Sequence, residues 1–148
     1  MIKIFLLILI TFILENNLYM LFNTYIFNYC LIIPLILILK NRIKNKKILY
    51  TTIIIISIIY DLIFSNRMGY LLLSNLIFLI LINYLDFKLS IKELIISIFF
   101  YRLINFFILF LIGYINFDIV RLLKSIYGIL IINILYFYII KRYILKSS

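Results

Sequence analysis

Apolar runs broken by short polar stretches dominate this 148-residue chain. Six runs can be traced, at residues 2–22, 24–39, 48–64, 69–85, 94–115 and 126–140. A helix that crosses a bilayer needs about 20 mostly apolar residues, each rising about 1.5 Å. The pattern therefore predicts about six transmembrane helices, with the second and sixth runs the shortest. Pro34 lies inside the second run and predicts a kink there, because proline removes a backbone donor. Lys3 ahead of a greasy stretch imitates a secretion signal, but Glu15-Asn16-Asn17 follows where a small-residue cleavage site would stand. The first run is thus read as a retained helix. The chain centres on residues 53–85, where two runs meet at the polar turn Ser65-Asn66-Arg67-Met68-Gly69 and one carboxylate, Asp61, sits inside the first of them.

Composition fixes the solvent. Hydrophobic residues make up 68% of the chain and its mean hydropathy is +1.27. Soluble domains are about half apolar, and a domain of this size leaves much of its surface in contact with solvent. The expected fold is an all-α integral membrane protein, a single domain over residues 1–148 forming a compact bundle. Heavy use of Ile, Asn, Lys, Tyr and Phe points to an A/T-rich coding sequence, so Ile and Tyr carry less information than usual.

The net charge is +10. Its placement argues against nucleic acid as a partner, since most Lys and Arg lie in short segments between apolar runs. With the N-terminus inside, eleven Lys and Arg fall on the cytoplasmic side, against Arg67, Arg121 and Lys124 outside. That asymmetry predicts that both termini are cytoplasmic. The basic run from Lys40 through Arg42, Lys44 and Lys46 to Lys47 is expected to meet anionic lipids of the inner leaflet.

Candidate chemistry is sparse. The sequence has no His and one cysteine, Cys30, so zinc and haem sites are not expected and no cofactor is assigned. Gly69, Gly113 and Gly128 are isolated, with no phosphate-cradling loop. Three ionisable residues lie within runs: Glu15, Asp61 and Arg102. Such residues are functional candidates by default. A mid-helix carboxylate costs about 3 kcal/mol on insertion, and each Ile, Leu or Phe returns roughly 0.3 to 0.6. The third run has eleven of these, so it tolerates Asp61 without that proving a role. Spacing by four places Thr11, Glu15 and Tyr19 on one face, Ser57 and Asp61 on a second, and Ser97, Tyr101 and Asn105 on a third, with Arg102 at its edge. Such stripes turn inward and join helices. At about 1.5 Å per residue, Asp61 is about 20 Å from the inner edge, Glu15 about 18 Å and Arg102 about 12 Å. Arg102 is expected to pair with Asp61 or Glu15; the alternative has Arg102 reaching the inner surface and both acids leaning outward to water.

Around the third and fourth runs the chain resembles a known family. Ile59-Tyr60-Asp61-Leu62-Ile63-Phe64-Ser65, then Gly69, then Leu81-Ile82-Asn83-Tyr84-Leu85 resembles the central signature of the rod shape-determining membrane protein family, MreD. Glu15 in the first run, Pro34 in the second and Lys141-Arg142 near the end fit the same plan in order and spacing. The family commonly has Gly-Leu-Asn after the turn, where this chain has Gly69-Tyr70-Leu71. The resemblance implies a non-enzymatic, multi-pass scaffold of the bacterial inner membrane that helps organise lateral peptidoglycan synthesis. It implies MreC as partner and, through MreC, MreB, RodA and a penicillin-binding transpeptidase. Asp61 and Gly69 carry over as structural or interaction residues, and no catalytic residue does. A different reading is a substrate-binding membrane subunit of a vitamin-type uptake transporter, which is also a compact bundle of about six spans.

Overall fold

In the computed structural model the chain is described over residues 2–22, 30–43, 45–64, 69–85, 89–113 and 119–146. Among the described residues six α-helices form: α1 (Ile2–Phe22), α2 (Ile32–Arg42), α3 (Lys46–Phe64), α4 (Tyr70–Tyr84), α5 (Ile91–Leu111) and α6 (Ile119–Lys146). There is no strand among them. Among the same residues one helix, α5, is by length and composition able to cross a membrane; Ile4–Leu18 within α1 and Tyr70–Tyr84 are apolar but shorter.

Each apolar run holds one helix; α1 keeps the expected bounds, most other ends shift, and residues 24–29 of the second run lie outside the described residues. The sixth run grew most. Residues 116–125 read as a connection, yet α6 already begins at Ile119 and runs through Arg121 and Lys124. Arg and Lys are good helix formers, so isolated charges do not stop a helix. Likewise α2 continues through Lys40 and Asn41 to Arg42 and stops where Ile43 turns extended. Pro34 sits in the first turn of α2. A missing N–H there removes no intrahelical bond, so the expected mid-helix kink has no cause. Helix α5 starts as a capping motif, with Ser90 Oγ accepting from the Glu93 N–H at 3.2 Å. It ends at Gly113, whose φ of +79° suits glycine at a helix C-terminus.

The short helix α2 is the centre of the bundle. Every residue from Ile32 to Lys40 is buried, as expected of a helix that is apolar all round. It packs against α1, α3, α5 and α6. The others surround it: α1 lies on α3, α3 on α4, α4 on α5 and α5 on α6. The ring closes through side chains, as Thr11 on α1 and Tyr136 on α6 share a hydrogen bond of 2.7 Å between hydroxyls. Phe12 and Tyr60 join α1 to α3 at 5.2 Å between ring centroids, and Phe78 meets Tyr101 edge-on across α4 and α5 at 5.1 Å. The core is mainly aliphatic, from Ile8 on α1 to Ile140 on α6. The five outer helices turn large apolar side chains outward: Leu62 and Ile63 on α3, Ile80 on α4, Leu111 on α5 and Ile131 on α6 are each more than half exposed.

Candidate functional site

The first two residues of a helix that matter here belong to α4. Its leading N–H groups have no partner inside the helix. A Ser, Thr, Asp or Asn just before the helix normally accepts from them. The residue in that position is Gly69, which holds φ at +81° and has no side chain to offer. Asp61, on the preceding helix, does the work instead. Its two carboxylate oxygens accept from Leu71 N–H at 3.3 Å and Leu72 N–H at 2.9 Å. The carboxylate also lies where the positive end of the α4 dipole favours an anion. Asp61 is 3% exposed, so the alternative in which it leans outward to water is not met.

The same device starts α2. Leu31 precedes the helix and its side chain cannot cap it. Glu15, from α1, accepts from Cys30 N–H at 2.9 Å. Cys30 holds φ at +61°, a left-handed conformation uncommon outside glycine, and this turns its amide onto the acid. Arg102, from α5, completes the group. It is 1% exposed, so it does not reach an aqueous surface. Its charge acts on Glu15 and on Cys30, and it lies within bonding reach of the Cys30 side chain. Of the two acids expected to pair with Arg102, Glu15 is the one its charge acts on, and Asp61 is engaged by α4.

A fourth buried charge closes α4 from its other end. The Lys40 ammonium donates to the Ile82 carbonyl at 2.7 Å. Ile82 lies in the last turn of α4, where carbonyls lack intrahelical donors and a cation meets the negative end of the dipole. Thus α4 has an anion from α3 at its start and a cation from α2 at its end. Lys40 is buried, which corrects its assignment to a lipid-facing run. We expect Lys40→Met, close in length but uncharged, to lower stability by about 1–2 kcal/mol. A fall of several degrees in the unfolding midpoint of the detergent-solubilised chain would register it; an unchanged midpoint would rule out this cap.

Uncharged polar groups tie the same helices together. Asn75 donates to Ser57 Oγ at 2.8 Å and accepts from the Tyr101 hydroxyl at 2.8 Å, linking α3, α4 and α5. Ser57 Oγ in turn donates to the Ile53 carbonyl. Tyr60 donates to Asn16 at 3.2 Å between α3 and α1, and Tyr50 hydrogen-bonds Asn83 between α3 and α4.

The three stripes expected from spacing are thus inside. Thr11, Glu15, Ser57, Asp61, Ser97, Tyr101, Arg102 and Asn105 are all buried. The Tyr19 side chain, Arg67 and the rest of the turn before Gly69 lie outside the described residues. Sequence reasoning missed Lys40, Cys30 and Asn75. A lone Asn at mid-run was the available signal for Asn75. Neither the Cys30 conformation nor the inward turn of Lys40 has a local signature. Among the described residues no cluster of His, Cys, Asp or Glu could hold a metal ion. Compared with known proteins, the chain matches no family model, no curated protein and no solved structure.

Proposed function

We propose that this chain is a multi-pass protein of the bacterial inner membrane, with both termini cytoplasmic. In this reading it acts as a non-enzymatic scaffold of the cell-elongation machinery. It holds MreC and, through MreC, MreB, RodA and a penicillin-binding transpeptidase. Two features support the membrane as solvent. The outer helices expose many large apolar residues, whereas soluble proteins rarely leave contiguous apolar patches larger than a few hundred Å². The charged side chains inside the runs, Glu15, Asp61 and Arg102, are turned away from that surface, and both acids accept backbone amides at helix starts.

The observation that carries the scaffold reading is the partnership of Asp61 and Gly69. These two residues anchor the resemblance to the MreD family, and together they build the start of α4. The likeness thus falls on residues with a joint physical task. Both intramembrane carboxylates are engaged by backbone amides, which suits holding helices in place better than proton transfer.

The test is a pull-down of the full chain from its native membrane in mild detergent, with identification of the bound membrane proteins. Recovery of MreC, and rounding of rod-shaped cells on depletion, is the expected result. Recovery of an energy-coupling ATPase, with unchanged shape and lost vitamin uptake, would replace this reading with the transporter one.

A further inference from the structure

The basic run at 40–47 is one part of a larger charged surface. Lys40 leaves it by turning inward. Arg42, Lys46 and Lys47 remain exposed at the end of α2 and the start of α3. Two bonds bring the end of α4 to the same level: Lys40 to Ile82, and Tyr50, in the second turn of α3, to Asn83. Helix α5 begins six residues beyond Leu85, at Ile91, and carries exposed Lys92. Helix α6 returns antiparallel to α5, with Phe106 against Ile126 and Leu103 and Leu130 packed on that pair. Continued along both helices, that register sets Lys92 level with Lys141. Lys141 lies over the Phe137 ring at 5.6 Å, and Arg142 next to it is exposed.

We infer that these six cations, Arg42, Lys46, Lys47, Lys92, Lys141 and Arg142, form one collar around the end of the bundle that binds the headgroups of anionic phospholipids. Among the described residues, Glu93 is the one acid at this end, and it is half-buried. Tyr84 is 88% exposed at the end of α4 and Tyr143 is 66% exposed beside Arg142. An apolar ring with a polar tip suits the headgroup level. Exposed cations at that level attract the negative leaflet, each adding to the preference. The collar spans the ends of four helices, so it is a property of the fold and not of a single basic run.

This inference rests on the membrane reading, and the experiment separates the two. The full chain is reconstituted into vesicles of phosphatidylcholine with a minor share of phosphatidylglycerol. Resistance to alkaline carbonate is checked first, and release of the protein there would defeat the membrane reading itself. Enrichment of phosphatidylglycerol around the protein is then read with spin-labelled lipids. Two triple variants are compared: Arg42→Gln/Lys46→Gln/Lys47→Gln, and Lys92→Gln/Lys141→Gln/Arg142→Gln. Each should remove roughly half of the enrichment, and the six together nearly all of it, as additive surface charges require. Full enrichment in the second triple variant would overturn the collar and leave the 40–47 run alone. Enrichment abolished by millimolar inorganic phosphate in the wild type would point to a free-phosphate site instead. Full enrichment in the sixfold variant, with loss of a co-purifying cytoplasmic protein, would make this a protein-binding face and also overturn it.

Discussion

Replacing Asp61 with Ala is expected to be the most damaging single change in the hairpin of α3 and α4. Two amides, Leu71 and Leu72, lose the acceptor that now stands at 3.3 and 2.9 Å. Gly69 cannot replace it, and water has no ready access where Asp61 is 3% exposed. A buried donor left without a partner costs about 1–3 kcal/mol, and bonds to a charged group sit at the upper end. The total should be about 2–4 kcal/mol. Asp61→Asn keeps one acceptor oxygen and loses the charge that favours the helix dipole, so about half of the loss is expected. Asp61→Leu should match Ala or be worse, although it is the most apolar of the three. That order is diagnostic, since a residue that merely tolerates lipid would improve on becoming Leu. Unfolding of the purified chain in detergent, followed by circular dichroism, would rank the three. Stabilisation by Leu would mean that Asp61 is not a cap.

Arg102 should show the opposite logic, with damage that a second change repairs. In Arg102→Met the Glu15 carboxylate keeps the bond from the Cys30 amide but loses the positive charge that acts on it. Breaking a buried charge group by removing one partner costs about 3–5 kcal/mol, while removing both charges is far milder. Arg102→Met should therefore be severely destabilised. Glu15→Gln/Arg102→Met should recover most of that loss, because a neutral amide oxygen still accepts from Cys30 while its charge no longer needs a partner. Pairing Arg102→Met with Asp61→Asn should bring no recovery, since Asp61 is engaged by α4. Equal behaviour of the two double variants would contradict this assignment.

Much of this arrangement was legible from the pattern of residues, and the limits have physical causes. The six apolar runs gave six helices because 3.6-residue periodicity and length are local properties. The inward stripes, Ser57 with Asp61 and Ser97 with Tyr101 and Asn105, followed from the same periodicity. What each stripe touches is not local. Asp61 and Glu15 read as two carboxylates at similar depth, yet each serves the start of a different helix. Lys40 looked like the first residue of a polar connection. Its long chain lets it fold back to Ile82, which is 42 positions away in sequence. The central place of α2 was hidden because a run such as IIPLILIL is equally suited to lipid and to the middle of a bundle. The end of α6 was misjudged because charges were taken as boundaries, although Arg and Lys sustain a helix as well as leucine does.

Asp61, Glu15 and Lys40 share one rule: a charge on one helix serves the end of a neighbouring one, anion at the start and cation at the finish, while Arg102 answers the Glu15 charge. Amide hydrogen exchange at Leu71 and Leu72, read in the wild-type chain and in Asp61→Asn in the same detergent, tests it at a single site. Slow exchange at both amides in the wild type, with selective acceleration there in the variant while mid-α4 amides such as Phe78 stay protected, is the predicted result. Equal exchange rates in the two proteins at Leu71 and Leu72 would contradict it.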